Sequence, residues 1–175
     1  TYSSSNTSVA TISGSTITVI DVGTTTITAT QASTTSYNSG TITASFQVTK
    51  ANPSITGFSI PTKTYGDSAF TITQPTSNSS GSFTYSSSNT SIATISGNTI
   101  TVVGPGTATI TVTQAATTNY NSGTQTASFQ VAKITTSISG FSLPTKKYGN
   151  VPFQITQPTS NRNGIFAYSS SNTSI

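Results

Sequence analysis

Thr107-Ala108-Thr109-Ile110-Thr111-Val112-Thr113 places threonine at every odd position and a small or apolar side chain at every even one. A period of two puts successive side chains on opposite faces of an extended chain, so this stretch reads as a half-buried strand. Gly104-Pro105-Gly106 marks a turn just before this strand. Further upstream, Ile92-Ala93-Thr94-Ile95 and Thr99-Ile100-Thr101-Val102-Val103 flank Gly97-Asn98, the pattern of a hairpin with a tight turn. Phe83-Thr84-Tyr85 follows the turn-rich Ser77-Asn78-Ser79-Ser80-Gly81. Ala69–Thr73 alternates and stops before Pro75, and Ser54–Ile60 alternates and stops at Pro61. Downstream, Thr126–Val131 supplies another strand. About seven strands with no helical period predict an all-β, antiparallel β-sandwich in which each sheet buries one face. The expected core is Phe58, Ile60, Phe70, Ile72, Tyr85 and Ile95, together with Ile100, Val102, Ile110, Val112, Phe129 and Val131. The intervening threonines are expected to face solvent, where β-branching still favours the extended backbone.

The same stretch also sets the organisation of the chain, because its surroundings recur. Thr1-Tyr2-Ser3-Ser4-Ser5-Asn6-Thr7-Ser8 returns unchanged at Thr84–Ser91, 83 residues on, and returns again from Tyr168. Residues 1–50 and 84–133 are identical at 39 of 50 positions. A repeat of ~83 residues is the size of a small autonomous domain, well above the 20–50 residues of solenoid units. The expected architecture is therefore beads on a string. Lys50-Ala51-Asn52-Pro53 and Lys133-Ile134-Thr135-Thr136 separate strands and are the natural boundaries. Residues 51–133 then form a complete repeat, residues 1–50 the C-terminal part of a preceding one, and residues 134–175 the N-terminal part of the next. Two explanations fit a chain that starts and stops at the same motif. It is a stretch of a longer array, or its copies complete each other's beads head to tail.

Composition narrows the function. Only 5% of the residues are charged. The six basic residues, Lys50, Lys63, Lys133, Lys146, Lys147 and Arg162, are scattered, and a nucleic-acid surface would gather them on one face. With no Cys and no His, the Ser-His-Asp and Cys-His arrangements and thiolate or imidazole metal sites are excluded. The two carboxylates, Asp21 and Asp67, fall in different phases of the repeat, and the corresponding residues one repeat on are Gly104 and Asn150. They read as turn residues, too few for the six to eight oxygens that a Ca²⁺ joint needs. The reading is therefore of no catalytic residues, no metal site and no cofactor. No apolar run is long enough to span a membrane, and the chain opens in mid-pattern, which leaves a leader or anchor outside it open.

Other features have plainer readings beside their functional ones. The Thr-x-Thr ladders at Thr24–Thr30 and Thr107–Thr113 could match ordered water and bind ice, yet they follow simply from exposed strand positions. Tyr37 and Tyr120, each followed by Asn-Ser-Gly, could stack on a sugar, although a loop-anchoring tyrosine is the commoner arrangement. Asn-x-Ser/Thr sequons at Asn6, Asn78, Asn89 and Asn172 arise readily by chance in a chain so rich in these residues.

Tyr85-Ser86-Ser87-Ser88-Asn89-Thr90-Ser91-Ile92-Ala93-Thr94-Ile95, followed by Gly104-Pro105-Gly106-Thr107-Ala108-Thr109-Ile110, resembles the bacterial immunoglobulin-like repeats of group 2. Pro61-Thr62-Lys63-Thr64-Tyr65-Gly66-Asp67 and Gln114-Ala115 through Asn119-Tyr120-Asn121 are similar to a common variety of them. Asp21-Val22-Gly23 departs from the pattern by replacing Gly104-Pro105-Gly106. The resemblance implies tandem immunoglobulin-like sandwiches of surface adhesins, invasin and intimin stalks, or phage structural proteins. The expected role is structural: the repeat region of an extracellular fibre, filament or cell-surface stalk, built by end-to-end packing. Its partners would be neighbouring repeats and other copies of itself. The alternatives are an adhesin module that binds carbohydrate or a partner protein, and a phage or virus fibre protein.

Overall fold

In a computed structural model of the chain, residues 1–174 are described, and they divide into two compact units, Thr1–Ala132 and the segment from Lys133 onward. The described residues hold strands and turns with no helix.

The first unit begins with β1 (Tyr2–Ser4), β2 (Ala10–Ser13), β3 (Thr16–Val19), β4 (Gly23–Gln31) and β5 (Gly40–Val48). It continues with β6 (Ile55–Thr56), β7 (Lys63–Thr64), β8 (Phe70–Thr71), β9 (Thr76–Ser77), β10 (Phe83–Ser87), β11 (Ala93–Ser96), β12 (Thr99–Val102), β13 (Gly106–Gln114) and β14 (Gly123–Ala132). β13, which carries the alternating Thr107–Thr113, is central to a four-stranded sheet in the order β10-β13-β14-β7. A second sheet runs β11-β12-β8, and β6 pairs with β9. Ala108, Ile110 and Val112 of β13, with Phe129 and Val131 of β14, supply one side of the core; Ala93, Ile100 and Ile72 come from the other side. The ring centroids of Phe70 and Phe129 lie 5.7 Å apart across it.

All twelve expected core residues are in or against this core. Phe58, Ile72, Ile100, Ile110, Val112, Phe129 and Val131 are buried, and the other five pack against them half-buried. Ile92, Ala93 and Ala108 join them. The first two enter because Asn89 folds the chain back, accepting the N–H groups of both at its carbonyl (3.2 and 3.1 Å). Its side chain also accepts the Ser91 N–H (3.0 Å) and hydroxyl (2.6 Å). This Asx turn gives the recurring Ser-Ser-Ser-Asn-Thr-Ser motif a physical meaning. Asn6 makes the same pair of bonds to Ser8.

Two expectations are corrected. Ser54–Ile60 is not one strand: the ladder is limited to β6, and Gly57 turns the chain at φ +75°. The strand set also includes β7 and β9, two residues each, and β7 runs parallel to β14 (Val131 opposite Lys63) in an otherwise antiparallel sheet. One threonine, Thr25, lies in the inward phase of β4 and is only 2% exposed. Thr25 stands where β13 has Ala108. Its hydroxyl bonds the Ser4 hydroxyl (2.9 Å) and accepts the Asn6 N–H (2.9 Å), so it is buried without loss of partners.

β1–β5 reproduce the register of β10–β14. Gly23 faces Val48 as Gly106 faces Val131, and Tyr2 faces Ala29 as Tyr85 faces Val112. In the second unit, β15 (Ile138–Ser139) pairs with β16 (Thr159–Ser160) as β6 pairs with β9. Lys146 sits over the Phe153 ring at 4.9 Å, as Lys63 sits over Phe70 at 4.8 Å.

Candidate functional site: the clasp around residues 50–52

Asp21 and Asp67 are not brought together. Asp21 accepts the N–H of Val22 (2.8 Å) in the turn before β4, and Asp67 accepts the N–H of Thr64 (3.0 Å) in the turn after β7. Each carboxylate caps its own turn, and among the described residues no three Asp, Glu, His or Cys side chains gather.

The most elaborate polar arrangement surrounds the link between β5 and β6. Ala51 forms a parallel bridge with Tyr120, donating to the Asn119 carbonyl (2.9 Å) and accepting the Asn121 N–H (2.8 Å). Asn121 Nδ2 donates to Asn52 Oδ1 (2.8 Å). The Lys50 ammonium donates to the Thr117 carbonyl (2.7 Å), a charge-assisted bond that fixes the end of β5 to the loop after β13. Val22 N–H also reaches Asn119 Oδ1 (3.2 Å). The loop over residues 115–122 therefore holds the linker on both sides and touches the turn before β4. The sequence marked Lys50–Pro53 as a link between strands, but it did not show the loop that clasps it. The one available signal was Tyr120, whose half-buried ring and backbone anchor this loop; the Tyr37 side chain is exposed.

The outer faces of the long strands form a second surface. Thr107 and Thr109 of β13 are exposed, and opposite them on β14 stand Gln130 and Ser128. Thr24, Thr26, Thr28 and Thr30 face Gln47, Ser45, Thr43 and Thr41 across β4 and β5. Both are uncharged and hydroxyl-rich. Of the sequon asparagines, Asn6, Asn89 and Asn172 use Oδ1 in local turns, and Asn78 Oδ1 accepts the Ser54 N–H (2.8 Å).

The chain matches the family model of the bacterial Ig-like domain (group 2) over residues 69–127, which is β8 through the first half of β14. No curated protein matches the chain as a relative. Domains of this group are in general non-catalytic structural or adhesion domains, typical of extracellular and surface proteins. The match falls on the sandwich built around Thr107–Thr113: residues 69–127 are similar in sequence to the bacterial Ig-like domain of group 2, and their all-β fold is consistent with an Ig-like sandwich.

Proposed function

We propose that this chain is a structural segment of an extracellular fibre or cell-surface stalk, in which Ig-like units pack end to end and supply reach. The observation that carries the reading is the clasp. A linker of about three residues, bonded through Lys50, Ala51 and Asn52 to the loop after β13, limits the hinge that a free linker would allow. Charge supports it too, since a surface with few charges meets its neighbours with little long-range repulsion. Electron microscopy of the native assembly tests the reading. A beaded fibre with a uniform axial repeat is expected, and a globular, non-repeating particle would sink it.

A second reading rests on the hydroxyl-rich faces of β4–β5 and β13–β14, which suit hydrogen bonding to a carbohydrate. A glycan array probed with the 175-residue chain separates the two, because a spacer retains no glycan.

A further inference from the structure

The recurring Ser-Ser-Ser-Asn-Thr-Ser motif holds more than its turn requires. Asn6, Asn89 and Asn172 each stand two residues before a serine, so every copy is an Asn-x-Ser acceptor sequence. The turn needs only a side-chain oxygen at the asparagine and the N–H two residues on. Ser8 gives that N–H to Asn6 at 3.1 Å, and Ser91 gives it to Asn89 at 3.0 Å. An aspartate supplies the oxygen equally well. This chain makes that exchange elsewhere: Asp67 accepts the Thr64 N–H at 3.0 Å, and its counterpart Asn150 accepts the Lys147 N–H at 2.9 Å. Where only the oxygen matters, the copies swap the two residues. In the recurring motif all three copies keep the amide, with serine two residues on.

The amide nitrogen takes no part in the turn. Among the described residues neither Asn6 Nδ2 nor Asn89 Nδ2 makes a hydrogen bond, and both asparagines are exposed with the two residues that follow them. The serine hydroxyl is aimed at the same side chain. Ser8 Oγ donates to Asn6 Oδ1 and Ser91 Oγ to Asn89 Oδ1, each at 2.6 Å. An amide nitrogen is a weak nucleophile because it shares its lone pair with the carbonyl. A donor on Oδ1 stabilises the negative charge that gathers there as Nδ2 loses a proton, which frees the nitrogen to attack. The fourth sequon, at Asn78, has a different arrangement. Asn78 Oδ1 holds the Ser54 N–H at 2.8 Å, and the next copy reads Asn161-Arg162-Asn163, which is no longer a sequon.

We infer that Asn6 and Asn89 are N-glycosylation sites, each taking a sugar chain from a donor in which the sugar is carried on a diphosphate. The bond from Nδ2 to the sugar C1 forms as the bond from C1 to the diphosphate oxygen breaks. The electron pair of the broken bond leaves with the phosphate, and the Nδ2 proton passes to a base of the transferase. The two turns lie outside the core, between β1 and β2 and between β10 and β11, so a bulky solvated group displaces no packed side chain. Only 5% of the residues are charged, and a hydrated sugar in each turn adds the surface hydration that so few charges supply poorly. The inference rests on the extracellular reading, because N-linked sugars belong to secreted chains. A protein found at the cell surface with both asparagines bare overturns the inference and leaves that reading intact.

Peptide mass spectrometry of the protein isolated from its own host tests this. The expected result is a glycan on Asn6 and on Asn89, each asparagine turning to aspartate when an amidase cleaves the sugar–asparagine bond. Two variants made in the same host separate the sugar from the turn. Asn89→Asp keeps the Oδ1 acceptor and loses the amide, whereas Ser91→Ala keeps the Ser91 N–H and loses only the hydroxyl. Both should fold like the wild type by circular dichroism. Each should lose the glycan at residue 89 completely and retain the one at Asn6. Ser91→Thr restores the hydroxyl and should keep both. Bare Asn6 and Asn89 in the isolated protein overturn the proposal. So does a sugar on Ser91 or Asn78 in place of Asn89, or a glycan at Asn89 that survives Ser91→Ala.

Discussion

Gln114 stands in phase with Ala108, Ile110 and Val112 on β13, and its side chain is as fully buried as theirs. The cost of a buried amide is met in full. Its Oε1 accepts the Ser77 hydroxyl (2.7 Å), and its Nε2 donates to the carbonyls of Ser79 (2.8 Å) and Gly81 (3.0 Å). One side chain thus ties the loop between β9 and β10 to the central strand. Gln114→Ala would take the amide donor from two carbonyls and the acceptor from the Ser77 hydroxyl, beside a cavity. It should destabilise the chain by about 2–4 kcal/mol in urea unfolding. Tyr85 carries a second prediction. Burial raises its phenol above the ordinary value near 10, because the charged form loses solvation. With the folded pKa above the unfolded one, the protonated phenol's contribution is complete below about pH 10. It falls as the unfolded chain ionises and is lost as pH rises through the folded pKa. Melting temperature should therefore decline at alkaline pH less steeply in Tyr85→Phe than in the wild type.

At the scale of elements, legibility follows length and phase. β13 and β14 span nine and ten residues, and the alternation of threonine with Ala108, Ile110 and Val112 shows both their type and their inward face. The same phase pointed Gln114 inward; its polarity concealed what its position showed. β7 and β9 have two residues each, too short for any period, and they exist because their neighbours' edges accept them. Ser54–Ile60 carried the alternation of a strand, yet the ladder stops at Gly57, a turn that one glycine does not announce. The clasp was invisible for a related reason: it is made by backbone groups of residues 117–121 that only the fold brings to Ala51. Two glycines show how differently the connections respond to change. Gly97, in the β11–β12 hairpin, has φ +59° and open space around its Cβ position, so Gly97→Ala should cost about 1 kcal/mol of backbone strain. A Cβ at Gly81 would fall 2.0 Å from the Ala115 carbonyl oxygen, backbone against backbone. Gly81→Ala must displace the loop that holds Gln114, with an expected loss of about 3 kcal/mol or more in the same unfolding measurement.

At the scale of the whole molecule, the question is what holds successive units in line. Ion-stiffened joints need several carboxylates at each junction, and this chain has two in 175 residues. Both are committed elsewhere, Asp21 to the Val22 N–H and Asp67 to the Thr64 N–H, in separate turns. The clasp uses neutral groups except at Lys50, whose ammonium meets a carbonyl and not a carboxylate. A bond of that kind gains little from long-range attraction, so salt has little to screen. Order here rests on backbone pairing at Ala51 and on burial within each sandwich. The melting temperature should therefore shift by less than about 1 °C when a chelator such as EDTA is added, because two carboxylates in separate turns supply too few ligands for a bridging cation. It should move by no more than about 2 °C between low and physiological salt, where an ion-pair network would respond far more. A fall of several degrees in chelator, recovered by adding Ca²⁺, would place a cation at the joint and overturn the account of the clasp given above.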